Sequence, residues 1–335
     1  MTEPLHVVVA TALVRARDAD ALADRLGPGT TVTHLPVPWV DGDDPPATIS
    51  ADWLATMRAA DVLVAFAQQV PDLLARPVAL ALVQHAGAGV DAVDVDAFRR
   101  AGVGLVTAAG VGARSVGDFA VAAVLALALR HPERAEAQRE HRWERFATAE
   151  LTDRRALVVG AGPVGGRVCA VLAALGLDVT AARRRPELGP PPGATRVIGL
   201  DAVADAVAAA DVLVLAIALG PETEGLIGAA ELERLPKRAV VVNVGRGPLV
   251  DELAVAAALR TGHLAGAWLD VFAREPLPAD SPLWDVPNLR ISAHDATATI
   301  GYSRRLADRA ADTVLAWRAG TAVPHAVVAP VRSAA

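Results

Sequence analysis

The sequence contains a single cysteine, Cys169, few aromatic residues and no long uninterrupted apolar run. One thiol cannot form an internal disulfide and provides no ligand cluster for zinc, so we expect no metal and a reduced, cytoplasmic setting. No stretch approaches the roughly 18 apolar residues of a membrane span, and residues 1–10 lack the pattern of a signal peptide. We therefore expect a soluble protein.

Excess basic charge is also absent, because the net charge is −6 and no basic tail is present. Such a surface argues against nucleic acid or an anionic membrane as partner. Hydrophobic residues make up 53% of the chain while aromatics make up only 4%, so the core must consist mainly of small aliphatic side chains. A length of 335 residues favours two domains.

Apolar runs alternate with helix-like segments from the start of the chain, at residues 5–10, 62–66, 80–84 and 103–106. Strands that alternate with helices cross over in one sense, so this pattern predicts an α/β fold with a parallel sheet. Residues 35–46 hold several prolines and acids and are predicted to be a loop. Gly87, Ala88 and Gly89 end one of the strands, where exposed N–H groups could bind an anion; a structural turn is the equal alternative.

Residues 156–185 predict a strand, a glycine turn, a helix and a second strand. Gly160, Gly162 and Gly165 have the spacing G-x-G-x-x-G. In a dinucleotide site the first glycine permits the tight turn, the second leaves room for the pyrophosphate and the third allows close packing of helix and strand. A glycine-rich turn is the alternative, but the complete strand, helix and strand favour a nucleotide bound at the helix N-terminus.

The end of the second strand predicts which nucleotide binds. Arg183, Arg184 and Arg185 stand where an NAD site usually carries an acid. Asp178 begins the strand and Glu187 lies in the following loop, so neither is placed to bind the ribose. Guanidinium groups form charge-assisted hydrogen bonds with phosphate. We predict NADP as the preferred cofactor, with NAD possible; a solvated basic loop is the alternative.

The second half of the chain continues the α/β pattern. Residues 116–130 predict a buried apolar helix and residues 131–145 a charged arm. Further strands are predicted at residues 211–217, 239–244, 264–271 and 289–292, and helices at residues 200–210 and 300–318.

Three charged residues lie just past predicted strands, namely Arg246, Glu275 and His294. Each has an ordinary structural explanation by itself, but the carboxyl edge of a parallel sheet is where ligands bind. Reduction of a carbonyl by hydride requires a proton donor, and histidine titrates closest to neutrality. A carboxylate can orient the imidazolium, and a guanidinium can polarise the carbonyl and hold a neighbouring carboxylate.

The chain resembles the D-2-hydroxyacid dehydrogenase family over nearly all of its length. The motifs that carry the resemblance are GAGVDAVD from Gly87, GARSVGD from Gly112, GAGPVG from Gly160, VNVGRGPLVDE, LDVFAREPLP and SAHDAT. The resemblance implies that Arg246 binds the 2-oxo acid, that His294 is the acid/base and that Glu275 pairs with it. It also implies that N–H groups of Ala88 and Gly89 bind the substrate carboxylate.

The implied fold is α/β with two Rossmann-like, doubly wound parallel-sheet domains, one flavodoxin-like and one NAD(P)-binding. Residues 1–106 and 298–335 would form the substrate domain, residues 107–297 the inserted nucleotide domain, and the protein would be a homodimer. Asp270 would contact the nicotinamide. The predicted cofactor-binding residues are Gly160, Gly162, Pro163, Val164, Gly165, Arg183, Arg184, Val244 and Asp270.

Some positions depart from the family pattern. Asp118 stands where glutamate is usual, and Gly112 where many members have asparagine. Asp295 follows the histidine directly, and a carboxylate there could raise its pKa.

These residues predict an NADPH-preferring reductase of small 2-oxo acids, of the glyoxylate or hydroxypyruvate type. A family member acting on phosphite or on a larger 2-hydroxy acid is one alternative. A nucleotide-sensing binding protein without catalysis is another, although the intact arginine, glutamate and histidine argue against it.

Overall fold

The computed structural model describes residues 4–35, 37, 50–74 and 79–330. The chain divides into two compact units. Unit 1 comprises Met1–Gly112 together with Ala298–Ala335, and unit 2 comprises Ala113–Thr297. The loop predicted over residues 35–46 falls almost wholly outside the described residues.

Unit 1 is built on a six-stranded sheet with the order β13-β5-β4-β3-β1-β2. Its strands are β1 (Leu5–Ala10), β2 (Thr30–Leu35), β3 (Val62–Ala65), β4 (Leu82–His85), β5 (Gly104–Val106) and β13 (Ala326–Val328). The first five are parallel, as the alternating pattern predicts, whereas β13 pairs with β5 in the antiparallel sense. Pro324 and Pro330 lie on either side of this three-residue strand, so the sequence pattern does not predict it.

Helices cover both faces of the unit 1 sheet. They are α1 (Ala16–Leu26), α2 (Ala51–Arg58), α3 (Pro71–Leu74), α4 (Val95–Ala101) and α11 (Ile300–Arg318). In β1, Val7 and Val9 pack into one apolar core, and Val8 and Ala10 pack into the opposite core. Side chains of a strand alternate between faces, so a strand covered on both sides is apolar throughout.

Unit 2 is built on a seven-stranded parallel sheet with the order β12-β11-β10-β9-β6-β7-β8. Its strands are β6 (Arg155–Val159), β7 (Asp178–Ala182), β8 (Arg196–Ile198), β9 (Val212–Leu215), β10 (Val240–Asn243), β11 (Gly266–Leu269) and β12 (Leu289–Ile291). The strand order reverses between β6 and β9. Ligands of such sheets bind outside the carboxyl ends of the strands at this reversal. The two-unit parallel α/β class predicted from the sequence is confirmed.

The helices of unit 2 are α5 (Ala113–Ala128), α6 (His131–Arg139), α7 (Pro163–Ala174), α8 (Val203–Ala206), α9 (Ala229–Arg234) and α10 (Glu252–Arg260). The apolar helix α5 shares a buried core with α7 on one face of the sheet, and α9 and α10 pack on the other. The helix predicted over residues 200–210 is instead the single turn α8 between 3₁₀ turns Leu200–Ala202 and Val207–Ala209. Valine and aspartate, both weak helix formers, recur in this segment.

Asp118, which stands where the family that the sequence resembles usually has glutamate, joins α5 to α7. Its Oδ1 accepts a hydrogen bond of 2.7 Å from Nε of Arg167, and Nη2 of the same guanidinium lies 2.7 Å from Oδ1. Gly117 permits this approach, because a Cβ there would lie 2.6 Å from Cγ of Arg167. The shorter acid is therefore paired within unit 2.

The predicted charged arm is helical only as far as Arg139. Residues 141–150 continue without helix or strand, and Trp143 is 99% exposed. In the described part of the chain, no helix is both long and apolar enough to cross a membrane. The same residues contain no group of three histidine, cysteine, aspartate or glutamate side chains that could hold a metal ion.

Candidate active site

The three charged residues singled out in the sequence follow three neighbouring strands of unit 2. Arg246 follows β10, Glu275 follows β11 and His294 follows β12, and these strands are adjacent in the sheet. Because carboxyl ends of parallel strands lie at one edge, the fold brings the three side chains to the same edge.

His294 and Glu275 form a direct pair. Nδ1 of His294 lies 2.8 Å from Oε2 of Glu275, while the other carboxylate oxygen, Oε1, accepts a hydrogen bond of 2.8 Å from the N–H of Phe272. A carboxylate can only accept, so Nδ1 carries the proton and Nε2 remains for chemistry. The backbone of His294 has a φ of 51°, and its N–H donates to the carbonyl of Asp270 at 2.8 Å. This left-handed conformation is rare outside glycine.

The pair shifts both pKa values. Burial lowers the pKa of His294, but the hydrogen bond and negative charge of Glu275 outweigh burial and hold it above 6.5. Burial raises the pKa of Glu275, but the hydrogen bond and charge of His294 outweigh that effect and hold it below 4.5. The positive charge of Arg246 lowers the pKa of both groups. Thus at neutral pH the glutamate is ionised and the histidine is readily protonated.

Arg246 is half-buried in a loop whose shape is fixed by Asn243. The amide Nδ2 of Asn243 donates to the carbonyl of Arg246 at 2.8 Å, and its Oδ1 accepts from the N–H of Gly245 at 3.0 Å. The guanidinium Nη1 donates to the carbonyl of Gly245 at 2.8 Å. Val244, a predicted cofactor contact, is buried in this same turn.

Asp270 lies directly after β11 and is almost completely buried, with 1% exposure. Its Oδ1 accepts from the hydroxyl of Ser292 at 2.6 Å and from the N–H of Asp295 at 3.2 Å, and Oδ2 accepts from the N–H of Ala296 at 3.3 Å. The indole of Trp268 in turn donates to Ser292 Oγ at 3.0 Å. Burial raises the pKa of Asp270. This carboxylate therefore orients the backbone around the histidine.

The loops that carry the arginine and the glutamate are in close contact. A Cβ on Gly247 would lie 1.9 Å from the carbonyl carbon of Phe272, so only glycine fits between them. Oε1 of Glu252 accepts from the N–H of Ala273 at 2.6 Å. Burial raises the pKa of Glu252, and the charge of Glu275 adds to this effect.

The glycine turn after β6 has the shape of a dinucleotide cradle. Gly160 has a φ of 111° and a Cβ there would lie 2.3 Å from the carbonyl oxygen of Ala216, while a Cβ on Gly165 would lie 1.6 Å from the carbonyl oxygen of Gly160. Gly162 differs, because a Cβ there would meet no heavy atom of the described residues within 4 Å. It is exposed and precedes the first turn of α7, formed by Pro163 and the predicted contact Val164. The free N–H groups and positive end of such a helix suit a pyrophosphate.

The predicted arginines follow β7, the strand beside β6. Nη1 of Arg183 donates to the carbonyl of Gly189 at 3.1 Å. The exposed Arg184 forms an ion pair of 3.2 Å with Glu222, which is 68% exposed. Exposed pairs contribute little to stability, so a competing phosphate could displace this one at small cost.

The predicted anion-binding loop lies after β4 in unit 1. Ala88 is exposed, and Gly87 and Gly89 are partly exposed. The carbonyl of Gly87 accepts from the N–H of Ala108 at 2.8 Å, so this strand end is anchored within its own unit.

Two supporting residues were not identified from the sequence, Asn243 and Ser292. Asn243 interrupts an otherwise apolar strand end, which is a signal that could have been used, whereas Ser292 reaches Asp270 across 22 residues of sequence and has no local signature. Asp295 is exposed, and the charges that shift the pKa of His294 are those of Glu275, Arg246 and Asp270.

Comparison with known proteins gives consistent matches. The family profile described as "D-isomer specific 2-hydroxyacid dehydrogenase, NAD binding domain" matches residues 121–296. A D-3-phosphoglycerate dehydrogenase of Mycobacterium tuberculosis is 35% identical over 313 residues, covering 91% of this chain and 58% of the relative. The chain thus spans just under three-fifths of that relative's length. A glyoxylate reductase of Aeropyrum pernix is 32% identical over 267 residues, covering 76% of this chain and 78% of the relative.

Solved structures match over almost the whole chain. A D-isomer specific 2-hydroxyacid dehydrogenase family protein from Aeromonas salmonicida has a TM-score of 0.84 at 26% identity, covering 97% of this chain and 99% of that chain. A D-isomer specific 2-hydroxyacid dehydrogenase from Xanthobacter autotrophicus Py2, in complex with NADPH and MES, has a TM-score of 0.79 at 31% identity, with 97% and 98% covered.

Proposed function

The chain belongs to the D-isomer specific 2-hydroxyacid dehydrogenase family, whose members oxidise or form a CH–OH group, and we propose that it is an NADPH-preferring reductase of small 2-oxo acids. Its substrates are of the glyoxylate and hydroxypyruvate class. The observation that carries this proposal is the contact of 2.8 Å between His294 and Glu275, with Arg246 acting electrostatically on both.

His294 donates the proton that completes the new hydroxyl group. Glu275 fixes Nδ1, so Nε2 faces the reaction and passes its proton to the former carbonyl oxygen. The raised pKa of His294 keeps the imidazolium available at neutral pH. In the reverse direction the neutral ring accepts the proton from the hydroxyl.

Arg246 polarises the ketone and holds the adjacent carboxylate of the substrate. A planar guanidinium presents two parallel N–H groups, which match a 2-oxo acid better than an ammonium does. Nδ2 of Asn243 donates a hydrogen bond of 2.8 Å to the carbonyl oxygen of Arg246. This bond supports a fixed position for the arginine. In unit 1, the N–H groups of Ala88 and Gly89 are the second proposed contact for a substrate carboxylate.

The glycine turn and the basic strand end fit a phosphorylated dinucleotide, which when bound supplies the hydride for C2 of the substrate. The open space at Gly162 would receive the pyrophosphate, with Pro163, Val164 and Gly165 forming the helix end. Val244 and Asp270 would contact the nicotinamide end.

Cations at the end of β7 favour a ribose 2′-phosphate over a 2′-hydroxyl, and Arg183 and Arg184 are the groups concerned. Each charge-assisted hydrogen bond is worth about 1.5–3 kcal/mol, so two would favour NADPH over NADH by about a hundredfold or more. The NADPH complex of the Xanthobacter relative supports this preference.

The direct test is an absorbance assay of NADPH and NADH with a panel of acids. Glyoxylate and hydroxypyruvate should be reduced, and NADPH should give the higher kcat/KM. The panel also includes 3-phosphohydroxypyruvate, because D-3-phosphoglycerate dehydrogenases are among the relatives, and longer 2-oxo acids. Phosphite is assayed with the oxidised cofactors. A chain that binds NADPH but turns over none of these would be a nucleotide-binding protein, contrary to the proposal.

The protein works as a homodimer in a reducing compartment, the cytoplasm. The fully exposed Trp143 in the segment 141–150 supports association, since an exposed tryptophan favours a protein contact. The single thiol, Cys169, is free and buried, and burial raises its pKa to about 11. A chain without a disulfide fits a reducing compartment. Sedimentation equilibrium measures the association directly: the wild type should have the mass of a dimer, and Trp143→Ala should dissociate more readily.

A further inference from the structure

His85 is a buried histidine at the last position of β4, in unit 1, apart from Arg246, Glu275 and His294. It is 3% exposed. Its Nδ1 accepts a hydrogen bond of 3.0 Å from the N–H of Ala67, and its Nε2 lies 3.0 Å from the carbonyl oxygen of Gly89. A backbone N–H can only donate and a carbonyl can only accept, so the ring is neutral with its proton on Nε2. His85 therefore joins the loop after β3 to the loop after β4.

The loop after β4 is held through its carbonyl groups. The phenol of Tyr302 donates to the carbonyl of Ala86 at 2.8 Å, and the N–H of Ala108 donates to the carbonyl of Gly87 at 2.8 Å. His85 holds the carbonyl of Gly89. In a planar trans peptide the N–H points opposite to the C=O. Each anchored carbonyl thus turns the N–H of the next residue away from the scaffold.

Gly87 leaves the space that the imidazole occupies. A Cβ at this position would lie 2.6 Å from Nε2 and 3.2 Å from Cε1 of His85. Glycine is required at this position because a side chain would collide with the imidazole. Backbone conformation does not require it, since φ at Gly87 is outside the left-handed region. The ring of Phe66 packs against the imidazole in a T-shaped arrangement, with 6.0 Å between the ring centroids and 78° between the ring planes.

We infer that His85 is a positioning residue for the substrate carboxylate, an inference that rests on the proposed function. The anchored carbonyl of Gly87 orients the N–H of Ala88 directly. The peptide that carries the N–H of Gly89 lies between that anchor and the Gly89 carbonyl held by His85, so both N–H groups are presented in one arrangement. Preorganised donors bind an anion without the cost of ordering the loop. Loss of His85 should weaken binding of the oxo acid and leave the cofactor, which binds unit 2, unaffected.

The experiment compares His85→Phe, which keeps a ring but removes both hydrogen bonds, with His85→Gln, which can restore one of them. We expect KM for glyoxylate to rise about tenfold in His85→Phe, since each lost hydrogen bond costs a factor of several, with a smaller change in kcat. His85→Gln should recover part of the loss. Calorimetric titration with oxalate, which cannot be reduced, should show the same weakening, and the Kd for NADPH should stay within about twofold.

Gly87→Ala places a Cβ against the same imidazole ring and should therefore also raise KM. His6→Phe is the matched control, because the ring of His6 in the same unit lies 3.0 Å from Oγ1 of Thr33 and not at the loop. If His85→Phe folds and both its KM and its oxalate Kd stay within twofold of wild type, the inference is wrong. If it does not fold, unchanged values in Gly87→Ala and His85→Gln overturn it. A wild-type chain that reduces no 2-oxo acid overturns the proposed function and this inference together.

Discussion

Nδ1 of His294 lies 2.8 Å from Oε2 of Glu275, which joins two loops that follow neighbouring strands and are separated by 19 residues in sequence. The same glutamate is fixed at its other oxygen by the N–H of Phe272. This one carboxylate therefore fixes the ring orientation and tautomer of the histidine and raises its pKa.

Replacing His294 with asparagine should lower the turnover of 2-oxo acid by about a hundredfold or more, the usual range for loss of a general acid. The Kd for NADPH should be unchanged, because the glycine turn follows a different strand. Steady-state kinetics and fluorescence titration measure the two effects. His263→Asn is the matched control, since its ring lies 3.0 Å from the carbonyl oxygen of Leu232 and the residue precedes β11, at the opposite end of that strand from the site. Near-normal turnover in His294→Asn would contradict the assignment.

Replacing Glu275 with glutamine should move the pH profile of reduction. Reduction uses protonated His294, so kcat/KM is constant below its pKa and falls as the pH rises through it. Glu275 holds that pKa above 6.5, so in the variant kcat/KM should begin to fall at a lower pH. At pH 7.5 the kcat/KM of the variant should be about tenfold below that of the wild type. In oxidation the activity should rise with pH and begin to rise earlier in the variant. Asp295→Asn, which removes an exposed neighbouring charge, should leave the profile in place.

Replacing Arg246 with lysine should raise KM for the oxo acid roughly tenfold to a hundredfold, even though the positive charge is retained. The loss corresponds to one hydrogen bond to a charged group, about 1.5–3 kcal/mol. Arg260→Lys provides the control, because that side chain donates to the carbonyl of Pro282 away from the site. An unchanged KM in Arg246→Lys would exclude the guanidinium clamp.

Replacing Arg183 and Arg184 together with alanine should weaken NADPH binding by about a hundredfold or more, while the Kd for NADH changes by roughly threefold or less. The reason is that only NADPH carries the 2′-phosphate. Arg196→Ala serves as the control, because Arg196 pairs with Asp178 at the first residues of β8 and β7. Equal losses for the two cofactors would argue for a structural role of the arginines.

Two glycines of one turn should respond differently to alanine. Gly165→Ala should lower the free energy of unfolding by about 1–3 kcal/mol or more, because its Cβ would lie 1.6 Å from the carbonyl oxygen of Gly160. Gly162→Ala should cost less than about 1 kcal/mol yet weaken NADPH about tenfold. Thermal unfolding and cofactor titration separate the effects. Normal NADPH affinity in Gly162→Ala would show that the open space there is not used.

Much of the fold could be predicted from period and composition. β1 and α11 begin and end where the sequence predicts, because a continuous apolar run and a long amphipathic period are strong signals. The meeting of Arg246, Glu275 and His294 at one sheet edge also follows from the sequence, since parallel strands share their carboxyl end.

The remainder depends on contacts that no local pattern encodes. β13 is three residues long and pairs with β5 from a distant part of the chain. Ser292 and Asn243 support the site through partners that only the folded sheet brings near them. The role of His85 could not be predicted from the sequence either, because its hydrogen bonds to Ala67 and Gly89 join two loops that are separate in the chain.

The interruption of unit 1 by unit 2 has a consequence for the newborn chain. α11 and β13, which complete unit 1, emerge from the ribosome only after the whole of Ala113–Thr297 has been made. Domains fold as units during synthesis, so unit 2 can fold while unit 1 is still incomplete. Until β13 has been made, the edge strand β5 of unit 1 lacks its partner. While residues 113–297 are being translated, the unpaired edge at β5 is therefore open to pairing with a strand of another chain.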